Sequence, residues 1–70
     1  MGSHTVAKVI EIVGSSNKGW AEAADTAVRA ASKTLNHITG IQVGAMTAHV
    51  KDGRIETYKT TVKVAFGVED

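Results

Sequence analysis

The sequence of 70 residues contains no cysteine. Disulfide bonds and thiolate metal sites are therefore excluded, and the redox compartment of the protein stays undetermined. A chain this short buries only about 60% of its unfolded surface, and domains of this size usually need a disulfide, a metal or self-association to be stable. We therefore expect either a metal held by other ligands or association with further copies of the chain.

The sequence also lacks a strong charge of either sign and any long apolar run. The formal net charge is +1, and the lysines and arginines are scattered. The sequence therefore lacks the cluster of positive charge that is typical of nucleic-acid binding. No run approaches the roughly 20 apolar residues that span a bilayer, and the N-terminus does not have the pattern of a signal peptide. We expect a cytoplasmic protein that binds neither nucleic acid nor membranes. Residues 1–4 are expected to be a disordered leader or a tag remnant before one domain, residues 5–70.

The first half of the sequence predicts a strand followed by a long helix. Residues 5–13 are apolar on both sides, as in a strand covered on both faces. A helix is predicted over about 17–37, with Ser15 or Ser16 as its N-cap. Apolar and mostly small residues recur along it at spacings of three and four and predict its buried stripe: Trp20, Ala24, Ala27, Val28, Ala31, Leu35 and Ile38.

Two further strands are predicted at 41–50 and about 55–68. The Asp52-Gly53 pair between them is a strong signal of a type I′ hairpin. Gly40 is expected to lie in the connection that follows the helix, where glycine can take a left-handed conformation. The fold class is therefore α+β, with the order β-α-β-β and a three-stranded antiparallel sheet wrapped on one long helix. One helix covers only one face of the sheet, and 14 residues of strand at about 3.3 Å each exceed a compact domain of this size. A homo-oligomer is thus the expected stable species.

Three features of the sequence suggest ligand chemistry. The segment GSSNKG at 14–19 lies between a strand and a helix but lacks the Gly-Lys-Ser/Thr of a phosphate loop, so we expect helix capping, with an anion contact as the alternative. His37 and His49 have no further ligand at metal-binding spacing. His37 is expected to complement the negative end of the helix, while a metal site shared across a symmetry axis stays open.

Glu11 and Trp20 are the remaining candidates. Glu11, on an otherwise apolar strand, pairs with a lysine or a helix-end amide in one interpretation and binds a hard cation between subunits in the other. Trp20 lies on the apolar stripe, which favours core packing over stacking on a ligand. No catalytic residues are predicted, because one helix and one small sheet offer no enclosed cleft except at a subunit interface.

Four segments of the sequence together carry a resemblance to a known family: VIEIVGSS, WAEAADTAVRAASKTL, DGRI and TYKTTVKVAF. In this order and spacing they make the chain, over residues 5–69, similar to the dodecins. The resemblance implies a hollow homo-dodecamer of cubic symmetry. It also implies a non-enzymatic role in binding and storing a small-molecule ligand, a flavin (riboflavin, FMN or FAD), in pairs at sites on two-fold axes.

The positions that match the family's flavin pocket are Gly40, Gln42, Thr47 and Lys59. Flavin-binding members typically carry a tryptophan at the position of Gly40, an arginine at Thr47 and a glutamine at Lys59. Stacking on an aromatic side chain contributes about 1–3 kcal/mol per contact, and glycine contributes none. A lysine ammonium donates hydrogen bonds but accepts none. The resemblance thus implies a degenerate flavin site.

A second branch of the family resembles the segment GWAEAA at 19–24. Its members lack the stacking tryptophan and carry one early in the helix, and they are described as calcium-binding. This branch implies calcium as an alternative ligand, or a purely structural assembly without flavin. No motif in the sequence assigns metal ligands.

Overall fold

The computed structural model describes residues 6–68, which form one helix and a three-stranded sheet. The elements follow the order β-α-β-β: β1 Val6–Ser16, α1 Trp20–Ser32, β2 Ile38–Lys51 and β3 Arg54–Val68. β3 lies in the centre of the sheet and pairs antiparallel with both β1 and β2. The predicted fold class is confirmed. The leader predicted at residues 1–4 lies outside the described residues.

The helix begins later than predicted. β1 continues to Ser16, and Gly19 is the N-cap of α1, with no side-chain hydrogen bond at the cap. The prediction that Ser15 or Ser16 caps the helix is therefore wrong. The hydroxyl of Ser16 instead accepts a hydrogen bond of 2.9 Å from the backbone N–H of Lys18, which stabilises the turn between strand and helix.

The helix also ends earlier than predicted, at Ser32. The left-handed residue of the following connection is His37, with φ of 61°. Gly40 lies within β2, opposite Ala65. The roles predicted for His37 at the helix end and for Gly40 in the connection are therefore wrong. The carbonyl of His37 accepts a 3.0 Å hydrogen bond from Gly67, which fastens the start of β2 to the end of β3.

Small residues allow the helix to pack closely on the sheet. The buried residues are Ala23, Ala27 and Ala31 of α1 and Thr60, Val62 and Val64 of β3. The stripe predicted from the sequence omitted Ala23, and its members Ala24, Leu35 and Ile38 pack at the margin of the core. The buried side of the helix is thus centred on Ala23, Ala27 and Ala31, slightly to one side of the predicted stripe.

Gly14 marks the closest approach of α1 to β1. A Cβ built at this position would overlap the carbonyl oxygen of Ala23 and would lie 2.9 Å from Cβ of Ala27. Glycine within a strand often marks such a close backbone approach. The contact explains how β1 can extend beneath the first turn of the helix.

The sheet extends well beyond the helix. The chain measures 60 × 20 × 13 Å with a radius of gyration of 14.9 Å, whereas a compact chain of 70 residues has about 11 Å. α1 packs on β1 and β3 and scarcely touches β2. The side of β2 that faces the helix therefore exposes apolar side chains: Ile41, Val43 and Met46. The prediction that one helix leaves part of the sheet uncovered is confirmed.

The β2–β3 hairpin has the predicted turn. Asp52 and Gly53 have φ values of 54° and 74°, and positive φ at both central residues is the requirement of a type I′ turn. Lys51 pairs with Arg54 on either side of it. The Asp-Gly signal in the sequence is therefore confirmed.

Candidate ligand-binding face

The sheet has a second side that α1 does not cover, which we call the outer face. Thr60, Val62 and Val64 are buried beneath the helix. Because side chains alternate along a strand, the β3 residues between them point to the outer face. Residues directly opposite each other on neighbouring strands share a face, so the register defines the outer face on β1 and β2 as well.

Gly40 and Gln42 lie at one end of the outer face. Gly40 is opposite Ala65 and Gln42 is opposite Lys63. These four residues, with Val9 and Ile41, line a shallow cavity of about 240 Å³. A Cβ on Gly40 would meet no atom within 4 Å. The space next to Gly40 is therefore open, and this is the position at which the family resemblance implies a stacking tryptophan.

Thr47 and Lys59 lie opposite each other as a second group on the outer face. Lys59 is four residues from Lys63 along β3, or about 13 Å. Ser15 of β1 lies on the other side of Lys59. The predicted pocket positions thus share one face but form two groups along it. Sequence reasoning missed Ser15 and Lys63 as neighbours, although the alternation of β3 already placed Lys59 and Lys63 on one side.

An irregularity in β2 brings Thr47 onto this face. Gln42 and Thr47 are an odd number of residues apart, so regular alternation would place them on opposite faces. The register of β2 against β3 shifts by one residue between Val43 and Met46. Such a bulge re-aims the side chains that follow it, and here it returns Thr47 to the side of Gln42.

Trp20 holds the bulged part of β2 from the helix side. Its indole Nε1 donates a 2.8 Å hydrogen bond to the carbonyl of Thr47, and its ring packs edge-to-face on Tyr58 with centroids 4.8 Å apart. The hydroxyl of buried Thr60 donates a 2.8 Å hydrogen bond to the carbonyl of Trp20. The half-buried indole therefore packs within the chain, as predicted, and links the start of α1 to β2 and β3.

Charge is unevenly compensated on the outer face. Glu11 lies directly across from Lys63, but within residues 6–68 the two side chains do not form the ion pair predicted for Glu11 with a lysine. Among residues 6–68, the ion pairs within 4 Å are Asp25–Arg29 at 2.8 Å and the exposed His49–Glu56 at 3.9 Å. Neither pair includes a lysine of the outer face.

Two further expectations concern metals and membranes. Within the described part of the chain, no group of three or more histidine, aspartate and glutamate side chains could hold a metal ion. In the same range, no helix is long and apolar enough to cross a membrane.

Comparison with known proteins identifies the family. A sequence profile described as Dodecin matches residues 6–69. The chain belongs to the dodecin family. A dodecin from Thermus thermophilus is 29% identical to it over 65 residues, which cover 93% of this chain and 94% of that protein.

Solved dodecin structures have the same fold throughout. The dodecin of Streptomyces coelicolor superposes with a TM-score of 0.94 at 29% identity, and the match covers 99% of each chain. The dodecin of Streptomyces davaonensis gives a TM-score of 0.92 at 29% identity and covers 97% of this chain and all of that one (100%). The resemblance that the sequence segments suggested is confirmed.

Proposed function

We propose that this dodecin is a non-enzymatic homo-dodecamer that binds and stores a small planar ligand of the flavin type, with weak affinity, on the outer face. Dodecin membership supports small-ligand binding and self-association. The observation that carries the proposal is the placement of Gly40, Gln42, Thr47 and Lys59 on one face of the sheet that the chain's own helix leaves uncovered.

Weak affinity follows from what the pocket positions provide. Gly40 leaves open space and supplies no stacking surface. The missing stacking contact corresponds to about 1–3 kcal/mol, or a loss of affinity of roughly 5- to 150-fold. Lys59 offers hydrogen-bond donors only, so it cannot match a ligand edge that carries both a donor and an acceptor.

Assembly is supported by the apolar surface that the single chain leaves uncovered. Met46 on the helix-facing side of β2 and Val13 on the outer face are 58% and 62% exposed. Exposed apolar patches of this kind mark sites of protein association. Sedimentation equilibrium tests the proposal, since twelve copies of a 7.3 kDa chain have a mass of about 88 kDa. A folded monomer at micromolar concentration would refute the proposed assembly.

Ligand binding is tested by the fluorescence anisotropy of riboflavin, which rises when the small fluorophore is bound to a large, slowly tumbling assembly. Titration with protein sites up to about 50 μM detects a binding free energy of about 6 kcal/mol or better. A rise in anisotropy that saturates is the expected result. Absence of any rise in anisotropy over the whole range, with an intact oligomer, would refute flavin-type binding.

Calcium binding is the alternative that the second branch of the family leaves open. Residues 6–68 of one chain hold no cluster of three possible metal ligands, so such a site would need a second chain or the terminal residues. A melting temperature that rises with millimolar calcium but not with magnesium would favour this alternative. Constant melting temperature together with an absence of flavin binding would favour a purely structural assembly.

A further inference from the structure

We propose that Ser15, Lys59 and Thr47 form an oxyanion-binding row across the outer face, and that this row selects ligands that carry a phosphate group. The inference deepens the proposed function and rests on it, because two of the three residues are positions of the candidate pocket. It assigns the ligand class as a phosphorylated planar molecule in preference to its neutral counterpart.

The register of the sheet places the three side chains side by side. Lys59 of the central strand is opposite Ser15 on β1 and opposite Thr47 on β2. Neighbouring strands are about 4.8 Å apart, so the row is about 10 Å wide. All three residues are exposed. An ammonium group is thereby flanked on both sides by a hydroxyl, and each of the three side chains can donate a hydrogen bond.

Hydroxyls also border Lys59 along its own strand. Thr57 and Thr61 are the neighbouring β3 residues on the same face. The acidic residues nearest to Lys59 within the described chain are Glu56, three residues away and 3.9 Å from the imidazole of His49, and Glu11, which lies across from Lys63. Glu11 is four residues from Ser15 along β1, or about 13 Å. Lys63 therefore has a carboxylate opposite it, whereas Lys59 has hydroxyl groups on all four sides.

The row is supported from the helix side of the sheet. Thr60, next to Lys59, is 1% exposed and donates its hydroxyl hydrogen bond to the carbonyl of Trp20. The indole of Trp20 in turn donates to the carbonyl of Thr47. Gly14, next to Ser15, is pressed against α1. The backbone of Thr47 and the residues next to Ser15 and Lys59 are therefore held by the helix, so the backbone positions of the row are fixed before a ligand binds.

This arrangement matches a compact oxyanion better than the edge of a neutral ring. A phosphate monoester carries a charge of about −1.5 to −2 at neutral pH and three acceptor oxygens. Hydrogen bonds between an ammonium group and such an oxygen are roughly twice as strong as neutral ones. Lys59 stands where flavin-binding members typically carry glutamine. The lysine pairs less well with the edge of a neutral flavin ring, but it supplies the principal contact for an anion.

The test compares FMN with riboflavin, which share one ring system and differ by a phosphate. Fluorescence titration of the assembled protein should show FMN binding on the order of tenfold more tightly, the effect of one charge-assisted hydrogen bond. Lys59→Gln should remove this preference, and Lys59→Arg should keep most of it. Raising the salt concentration from 50 to 500 mM, roughly a threefold shortening of the screening length, should reduce the preference in the parent protein.

Two further variants locate the effect. Lys33→Gln, which removes the same charge at the C-cap of α1, should keep the FMN preference and so controls for net charge. Lys63→Gln tests the neighbouring lysine of the same face. If Lys63→Gln abolishes the preference while Lys59→Gln retains it, the row is wrongly assigned.

The outcomes separate this inference from the proposed function. Equal affinity for FMN and riboflavin would refute the oxyanion row and leave flavin-type binding intact. If neither flavin binds, the proposed function fails, and equilibrium dialysis with labelled inorganic phosphate then decides the inference alone. Phosphate retained by the parent protein and lost in Lys59→Gln supports the row, and equal retention by both refutes it.

Discussion

Replacement of Gly40 by tryptophan should convert the weak pocket into a strong one. A Cβ at Gly40 meets no atom within 4 Å, so the backbone accepts a side chain without displacing a neighbour. The residue opposite on β3 is Ala65, whose small side chain leaves the adjoining cavity of about 240 Å³ open to an indole. Tryptophan also favours strands over glycine by up to about 1 kcal/mol, so Gly40→Trp should not destabilise the sheet.

The expected gain in affinity follows from the stacking contact alone. About 1–3 kcal/mol of stacking free energy corresponds to riboflavin binding that is roughly 5- to 150-fold tighter. Adding Lys59→Gln restores a side chain that both donates and accepts hydrogen bonds, and the double variant should bind riboflavin more tightly than Gly40→Trp. The midpoints of riboflavin titrations, followed by fluorescence anisotropy, measure both effects.

A matched control separates stacking in the pocket from any added aromatic surface. Val50→Trp places an indole on the same strand at a residue that is 58% exposed, ten residues and about 33 Å from Gly40. This variant should bind riboflavin as the parent does. If Gly40→Trp and the double variant assemble normally but gain no affinity, Gly40 is not the stacking position and the match to the family pocket is wrong.

Three further predictions concern the fold that holds the outer face, each measured by denaturant unfolding at one fixed protein concentration. Gly14→Ala should lower the free energy of unfolding by about 1–3 kcal/mol or more, since its Cβ overlaps the backbone of Ala23. Gly40→Ala adds the same methyl group in open space and should change the free energy of unfolding by less than about 1 kcal/mol. If the two alanine substitutions have equal effects, α1 does not approach β1 as closely as the structure indicates. Trp20→Phe should cost about 1 kcal/mol through loss of the hydrogen bond to Thr47, and an unchanged midpoint would show that this bond does not contribute. Gly53→Ala should cost about 1 kcal/mol because φ there is 74°, whereas Asp52→Asn should be nearly neutral since asparagine accepts left-handed φ values.

The order of the elements along the chain and the hairpin were predictable because their signals are local. Alternation along β3 and the Asp52-Gly53 pair each depend on a few adjacent residues. The helix bounds were not predictable from the same kind of signal. Gly14 allows β1 to continue beneath α1, and His37 takes the left-handed conformation that glycine usually supplies. Both outcomes depend on contacts between elements that are distant in sequence.

The candidate site was predictable in composition but not in arrangement. The family resemblance supplied four positions, and alternation supplied the face of Lys59. The bulge between Val43 and Met46 decides that Thr47 joins that face. Gly44 lies within it, and glycine inside a strand often marks a bulge, but the glycine alone does not fix where the register against β3 shifts. The neighbours of Lys59 likewise depend on the pairing of β1 with β3, which spans the length of the chain.

In β3, the central strand of the sheet, alternate residues pack against the helix and face the opposite surface. Within one segment of that strand, Thr60, Val62 and Val64 hold the helix, while Lys59 and Lys63 define the chemistry of the opposite surface. Neither lysine is among the buried residues of the core, so substitutions at Lys59 and Lys63 should change stability little. The change of ligand preference that we propose for residue 59 therefore requires no change in the residues that hold the helix.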